Sequence, residues 1–303
     1  MSLNGSLPTA PLVQPPPIDG VRRRYVDARG VRFHLSEGGD PAGLPVLALH
    51  GWPQHHYAWR DLLGDPPAGM RILAPDLPGY GWSGPAPHRW VKEDVVSDLL
   101  ALLDHLEIDR VLLAGHDWGG YLGHLLALRA PERLWGYLAL NIVHPWNTSA
   151  TLLPHLWRFL PYQPGVATVG GAVMRRTRII ELSLVLSLAD RNAMPRETVR
   201  WFSERFRDPV CARAGVSTYR TFWLKELPKL AIAPERRRST VPTRALFGKG
   251  DWAVHHSLAA AETAIADDYQ LELVSGCGHF IVDERPVLVR TRLVELGRQV
   301  APL

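Results

Sequence analysis

Cysteine is scarce in this sequence. The 303 residues include two cysteines, Cys211 and Cys277, too few for the disulfide framework of a small secreted protein and compatible with a reducing compartment. The chain also lacks an apolar run near the ~20 residues of a membrane-spanning helix, and its first residues lack the basic and apolar segments of a secretion signal. We therefore expect a cytoplasmic protein without membrane insertion.

Lysine is scarce as well. Only four of the 34 basic residues are lysines, and the formal net charge of +4 is spread along the chain. Nucleic-acid binding needs basic residues clustered on one face, so we expect no nucleic-acid partner. With 46% hydrophobic and 21% charged residues, the composition is that of an ordinary globular protein, which excludes disordered, collagen-like and coiled-coil classes. The sequence gives no basis for assigning an oligomeric state.

Strand-like and helix-like patterns alternate after a proline-rich lead-in at residues 1–20, which we expect to be disordered. Residues 46–49 and 111–114 are apolar in succession, as strands covered on both faces require. Residues 91–106 instead place valines and leucines at helical spacing. The alternation predicts a mostly parallel sheet with right-handed crossovers. The predicted elements are helices at 91–106 and 118–128 and strands at 31–35, 45–50, 71–75, 110–115 and 134–141.

The pattern changes at about residue 143. Few strand-like segments follow, and the helix-like stretches are repeatedly broken by prolines. Strand patterns return at 243–248 and 269–274, and a helix is predicted to begin near Pro286. The prediction is therefore an α/β fold whose core, at residues 21–142 and 240–303, is interrupted by a helical cap at residues 143–239.

The sharpest local feature is Gly-His-Asp-Trp-Gly-Gly at residues 115–120, between a predicted buried strand and a helix. This is the context of a nucleophile elbow, with Asp117 where the common version has serine. Glycines on both sides relieve crowding in a turn that exposes the central side chain. The alternative is a glycine-rich turn in which Asp117 only caps the helix.

Asp251 and His279 follow later predicted strands and therefore lie at the same sheet edge as Asp117. The chain order of nucleophile, acid and histidine is the order used with nucleophile elbows. Each residue alone also has a plain interpretation, Asp251 as a turn former and His279 as an ordinary hydrogen-bonding histidine.

His-Gly-Trp-Pro at residues 50–53 follows an early predicted strand. In elbow-based sites the oxyanion hole uses the amide after the nucleophile and one from such a loop, which indicates the amides of Trp118 and Trp52. Histidines at 50, 55 and 56 raise the question of a metal. No carboxylate or cysteine set with ligand spacing accompanies them, so we expect neither a metal nor another cofactor.

These motifs, together with Asp-Leu-Pro-Gly-Tyr-Gly-Trp-Ser at residues 76–83 and Gly-Cys-Gly-His-Phe at residues 276–280, resemble the α/β-hydrolase superfamily and, within it, the epoxide hydrolase branch. The resemblance runs from about residue 22 to the end. It implies the α/β-hydrolase fold, with a mostly parallel central sheet, flanking helices and an inserted helical cap. It also implies two cap tyrosines as proton donors, matched here by Tyr219 and Tyr162; the alternative for either is plain packing.

An aspartate nucleophile narrows the chemistry. A carboxylate that attacks an acyl carbon gives a labile anhydride, whereas displacement at sp3 carbon gives an alkyl ester on Asp117. His279, oriented by Asp251, would then activate water to hydrolyse that ester, and the two tryptophan amides would hold the oxyanion. With an epoxide the product is a vicinal diol. Small hydrophobic substrates and water are the expected partners, in a cavity that includes Trp157 and Phe280.

Two alternatives remain. A haloalkane dehalogenase would use the same Asp-His-Asp set, with the indoles of Trp118 and Trp157 donating to the departing halide. An α/β-hydrolase fold can also serve as a binding protein without catalysis, although an intact set of Asp117, Asp251 and His279 argues against that.

Overall fold

The computed structural model describes residues 14–147, 149–160, 162–232, 237–259 and 266–301. Most of the predicted lead-in, residues 1–13, lies outside the described residues. The described residues form one eight-stranded sheet with the order β1-β2-β4-β3-β5-β6-β7-β8. The strands are β1 Arg22–Ala28, β2 Val31–Gly39, β3 Leu44–Leu49, β4 Met70–Pro75, β5 Val111–His116, β6 Leu134–Leu140, β7 Thr243–Gly248 and β8 Tyr269–Val274.

The sheet is parallel from β4 to β8, and only the pairings β1–β2 and β2–β4 are antiparallel. Every residue of β5 is buried, which explains why that strand is apolar in succession. All the predicted strands are confirmed. The sequence did not predict β1, because three arginines and mostly exposed positions hide the alternation typical of a strand. Two of them, Arg22 and Arg24, bond across the pair to Glu37 at 3.0 and 2.6 Å.

The core also contains the helices that the sequence predicts. The predicted helices at 91–106, at 118–128 and near Pro286 are confirmed. The helix Trp118–Arg129 packs on β5 and β6, and the helix Pro286–Val300 packs on β6. The core helices are Arg60–Gly64, Lys92–His105, Trp118–Arg129, Ile281–Glu284 and Pro286–Val300, with short 3₁₀ turns at His56–Trp59, Pro131–Arg133 and His256–Ala259.

Between β6 and β7 the described residues form helices, and we call this region the cap. Its helix Pro209–Thr221 packs against the helices Gln163–Thr168 and Gly170–Arg176 and continues into a π-helical turn, Phe222–Glu226. The other cap helices are Ser149–Leu152, Leu156–Phe159, Ile179–Leu186, Arg196–Arg205 and Leu227–Ile232, with a 3₁₀ turn at Leu153–His155.

The parallel strands place the ends of β3, β5, β6, β7 and β8 along one edge of the sheet. The loops after these strands carry Trp52, Asp117, Asn141, Asp251 and His279. Ligands of open α/β sheets bind beyond the carboxyl ends of the strands, so the fold brings these residues to the expected place. Among the described residues, no helix combines the length and the apolar character needed to cross a bilayer.

Candidate active site

Asp117 sits in a strained turn between β5 and the helix that begins at Trp118. Its φ of +48° lies in a region that residues other than glycine rarely adopt, and such strain concentrates at functional sites. Close packing holds the turn: a Cβ at Gly115 would lie 2.7 Å from the carbonyl oxygen of Gly119, and one at Gly51 would lie 2.3 Å from the Cβ of Asp117. The surrounding glycines are therefore required for the turn to form.

The Asp117 carboxylate accepts hydrogen bonds from the two amides that the sequence predicts as oxyanion donors. The amide of Trp52 donates to Asp117 Oδ2 at 2.8 Å, and the amide of Trp118 also donates to the carboxylate. His279 Nε2 lies 3.8 Å from Asp117 Oδ1. Both amides are thus already directed at an oxygen of the group that would become the ester carbonyl.

Burial raises the pKa of Asp117 to about 6, although the charge of His279 and the two amide bonds oppose this rise. For His279 burial works in the opposite direction and disfavours the cation. The charge of Asp251, its hydrogen bond and the charge of Asp117 outweigh burial and raise the pKa of His279 to about 9. At neutral pH the site therefore holds an ionised Asp117 beside a protonated His279.

Asp251 orients the histidine. Its Oδ2 lies 2.8 Å from His279 Nδ1, and its Oδ1 accepts the amides of Ala253 and Val254 at 2.8 and 2.9 Å. Asn141 Nδ2 donates to Oδ2 at 2.8 Å. With both carboxylate oxygens satisfied, Asp251 is fixed and stays an acceptor for the histidine ring.

Asn141 is a site residue that the sequence analysis missed. It directly follows β6, has φ +45°, and joins three loops. Its Nδ2 donates to Asp251 and, at 3.0 Å, to the carbonyl of Gly278, and its Oδ1 accepts the amide of Gly248 at 3.2 Å. An asparagine after a buried strand was the available signal, because asparagine tolerates this backbone conformation.

The loop that carries His279 is bonded to the cap. The amide of His279 donates to the carbonyl of Ser187 at 2.9 Å. Buried Glu284 accepts the amide of Gly278 at 2.9 Å with one oxygen and the amides at 189–190 at 2.9 and 3.0 Å with the other. Cap and histidine loop therefore share the same hydrogen-bonding group.

A cavity of about 250 Å³ lies between the core and the cap. Asp117 and His279 form part of its wall, and most other lining side chains are apolar. The lining comprises Trp52, Asp117, Trp118, Ile142, Val143, Leu152, Leu156, Phe159, Tyr162, Gln163, Ile179, Leu182, Ser183, Leu186, Ser187, Tyr219, Phe222, Trp223, Leu227, Trp252, Ala253, Val254, His279 and Phe280.

Tyr219 is buried, and its ring packs edge-on against the rings of Trp52 and Trp118, with both centroid distances 5.4 Å. The ring of Tyr162 lies 6.1 Å from that of Tyr219. Burial raises the pKa of both tyrosines, and the charge of Asp117 raises both further. Both phenols are thus protonated in the site and able to donate.

Comparison with known proteins adds the family. A model of the family described as alpha/beta hydrolase fold matches residues 45–286, most of the chain. The chain belongs to this family. This α/β-hydrolase is 28% identical over 287 residues to the AB hydrolase superfamily protein YfhM of Bacillus subtilis (strain 168), over 92% of this chain and 98% of that protein.

A second relative of this α/β-hydrolase is the soluble epoxide hydrolase of Corynebacterium sp. (strain C12). The two are 27% identical over 275 residues, covering 86% of this chain and 91% of that protein. The solved structure titled "Epoxide hydrolase CorEH without ligand" has a TM-score of 0.75 at 23% identity, over 92% of this chain and 99% of the other. That structural likeness supports the fold.

The prediction that Trp157 lines the substrate pocket of the α/β-hydrolase is wrong. Trp157 is 63% exposed and is not part of the cavity wall, whereas its neighbours Leu156 and Phe159 are. The helix Leu156–Phe159 is a single turn, so one side chain must face away from the cavity. The predicted second halide donor is therefore lost, while Phe280 lies where the sequence predicts.

Three buried groups could hold a metal by distance alone. His34, His56 and Asp76 each offer a ligand atom within 4.8 Å of the others. Their hydrogen bonds account for the arrangement: both histidine Nδ1 atoms lie 2.9 Å from Asp76 oxygens, and the amides of His56 and Trp82 donate to the same carboxylate. The histidines lower the pKa of Asp76, despite its burial. We interpret the three residues as a structural cluster in which Asp76 holds neighbouring loops together by hydrogen bonds.

Proposed function

We propose that this α/β-hydrolase opens hydrophobic epoxides to vicinal diols through an alkyl ester on Asp117. The observation that carries the proposal is the arrangement around one carboxylate. Asp117 is buried in an apolar cavity, accepts two amides, and lies beside a histidine held by Asp251. The relationship to the soluble epoxide hydrolase of Corynebacterium sp. supports the same reaction.

In the first step an Asp117 oxygen attacks an epoxide carbon. The C–O bond of the ring breaks, and the departing oxygen remains attached to the substrate as an alkoxide. Tyr219, assisted by Tyr162, donates a proton to that oxygen. Tyr162 is held for this role, because its hydroxyl accepts a hydrogen bond from Gln163 Nε2 at 3.1 Å and Gln163 Oε1 in turn accepts one from Trp223 Nε1 at 3.0 Å.

Before the second step the protonated His279 gives up its proton, by way of water, to the Tyr219 phenolate left by the first step. Neutral His279 then removes a proton from water, and the resulting hydroxide attacks the ester carbonyl. The amides of Trp52 and Trp118 stabilise the oxyanion, at a value of ~3 kcal/mol for each such donor. The bond between Asp117 Cγ and the Asp117 oxygen that attacked the epoxide then breaks. That oxygen leaves in the diol, and the oxygen from water completes the Asp117 carboxylate. Esterification has meanwhile removed the charge of Asp117, which is one cause of the raised pKa of His279, so the ring gives up its proton more readily.

The apolar wall of the cavity supports small hydrophobic substrates. Halide displacement from a haloalkane is the second candidate, because the Trp118 indole lines the cavity beside Asp117. Trp157 is exposed, so the dehalogenase alternative lacks the second halide donor that it needs from the cap. The two protonated tyrosines are better suited to donate a proton to an alkoxide than to bind a halide.

The test is to incubate the protein with an aryl epoxide and with a haloalkane and to measure diol and halide. Diol without halide supports the proposal. Halide without diol replaces it with dehalogenation, and neither product with retained ligand indicates a binding protein. The variant His279→Gln should accumulate the ester, seen by intact mass as the protein plus one substrate, and peptide mapping should locate it on Asp117.

A further inference from the structure

Lys92 is one of four lysines and is fully buried at the start of the helix Lys92–His105. Its Nζ lies 2.8 Å from Glu226 Oε2, and it donates to the carbonyl of Thr218 at 2.5 Å and to Thr221 Oγ1 at 3.2 Å. The same Glu226 accepts the backbone amide of Lys92 at 3.0 Å. Lys92 lies in the core, and these three partners belong to the cap.

A buried ion pair is weak support for stability, since desolvation of both charges offsets much of their attraction. Here the ammonium also lies among aromatic rings, 4.6 Å from the ring centroid of Trp118, 5.5 Å from that of Phe222 and 5.9 Å from that of Trp90. Burial lowers the pKa of Lys92 to about 8, against the opposing charge of Glu226. Because burial of the Lys92 ammonium adds little to stability, a different role would explain why a charged residue occupies this position.

The position of Lys92 in the fold indicates that role. Thr218 precedes Tyr219, the cap tyrosine that lines the cavity together with Asp117, and the helix changes from α to π at Phe222. The last carbonyls of a helix attract cations, and π turns occur often at functional sites. Lys92 therefore holds the backbone beside Tyr219 where regular helical hydrogen bonding ends.

A second contact leads to the same tyrosine. The Trp118 ring is a neighbour of both groups: its centroid is 4.6 Å from Lys92 Nζ and 5.4 Å from the centroid of the Tyr219 ring. Tyr80 adds support from the core, since its hydroxyl lies 2.7 Å from Thr218 Oγ1. Lys92 and Tyr80 of the core thus hold the backbone next to Tyr219, and Lys92 also contacts its aromatic neighbour Trp118.

We infer that Lys92 and Glu226 form a positioning pair that places the Tyr219 hydroxyl for proton donation to the opening epoxide. The inference rests on the proposed function and extends it to two residues outside the cavity wall. Neither residue touches the substrate. The pair acts on the alkylation of Asp117 and leaves hydrolysis of the ester, which depends on His279, unchanged.

The experiment measures both half-reactions by single turnover with an aryl epoxide, following ester formation and ester decay by rapid-quench mass analysis. Lys92→Met should slow ester formation by about 10- to 100-fold, in line with a displaced catalytic group, while ester decay stays within about twofold. Combined with Tyr219→Phe, it should add little to the loss that Tyr219→Phe causes alone, because both changes remove the same proton donation.

Lys92→Met alone leaves a buried carboxylate unpaired and can fail to fold. The variant Lys92→Met/Glu226→Leu removes both charges and is expected to keep the fold, so it serves as the second test with the same expected rates. Asp98→Asn is the matched control. Asp98 is also buried on the helix Lys92–His105, but it pairs with Arg29 and His88, so both half-reactions should be unchanged.

The outcomes separate the two proposals. Equal slowing of both half-reactions in folded variants would make the pair merely structural. Unchanged ester formation, or a full additional loss on top of Tyr219→Phe, would overturn the positioning role while leaving the proposed function intact. A wild-type protein that forms neither ester nor diol would overturn the proposed function and this inference with it.

Discussion

His279 Nε2 lies 3.8 Å from Asp117 Oδ1, while its Nδ1 lies 2.8 Å from Asp251 Oδ2. The longer distance is beyond a hydrogen bond. A serine nucleophile would need its histidine within hydrogen-bond reach, because the hydroxyl must lose a proton as it attacks. A carboxylate attacks without losing a proton, so the histidine is free to act later, on water. The geometry suits a two-step hydrolysis with separate roles for the two groups.

The origin of the product oxygen tests the ester. In a single turnover in ¹⁸O-water, the first diol should carry no label, because its new oxygen comes from Asp117. Label should instead enter the Asp117 carboxylate and appear in diol from later turnovers. Mass analysis of diol from enzyme in excess over substrate measures this. Label in the first diol would mean direct attack by water on the epoxide.

The rate of ester formation should fall at acid pH. Burial raises the pKa of Asp117 to about 6, and only the ionised carboxylate attacks. Below pH 6 the rate should drop by about tenfold per pH unit as the carboxylate is protonated. Single-turnover ester formation by the wild-type protein between pH 4.5 and 8 measures this limb, because the charge of His279, which lowers the pKa of Asp117, is then retained. A rate independent of pH over that range would contradict an Asp117 nucleophile with a raised pKa.

The buried charge of Asp117 should also lower the free energy of unfolding. A rise in its pKa from 3.8 to about 6 corresponds to about 3 kcal/mol lost at pH values above 6, where the folded state must bury the charge. The loss disappears below about pH 4, where the carboxyl is neutral folded and unfolded. Asp117→Asn should therefore be inactive but more stable at pH 7, by up to about 3 kcal/mol, and similar to wild type at pH 4. Urea unfolding at both pH values measures the difference.

The proposed role of Tyr219 as proton donor predicts that its hydroxyl matters for epoxides, which leave an alkoxide, and not for haloalkanes. Tyr219→Phe keeps the ring packing against Trp52 and Trp118 and removes the hydroxyl. Diol formation should fall by roughly 10²-fold or more, as expected for a lost general acid, while any halide release from a haloalkane is spared. An equal loss on both substrates would assign Tyr219 to packing.

Asn141 should act on the second step. Its amide holds Asp251 and the loop before His279, so its loss should slow ester hydrolysis by about tenfold and leave ester formation unchanged. Asn141→Gly is the informative change, because glycine accepts the φ of +45° without strain. Asn141→Ala adds strain to the same lost bonds. If only Asn141→Ala is impaired, the backbone matters and the amide does not.

The sequence predicted the core strands and helices, and it predicted that Asp117, Asp251 and His279 lie at one edge of the sheet, because each stands in the turn or loop that follows a predicted strand. It failed where position depends on tertiary packing. The arginines of β1 obscure a strand that is held by pairing with β2 and Glu37, and Asn141 and Glu284 act through loops distant in sequence. Trp157 was misplaced because a one-turn helix gives no periodicity from which to choose a face.

The carbonyl of Ser187 accepts the amide of His279, and Glu284 binds the amides of the cap segment that follows. These hydrogen bonds therefore limit which part of the cap can be exchanged with that of a related hydrolase to alter the substrate range. A chimera that replaces residues 187–190 also removes hydrogen bonds that hold the loop of His279, the proposed general base. Grafts that begin after this segment should keep turnover, and grafts that include it should stall with the alkyl ester on Asp117.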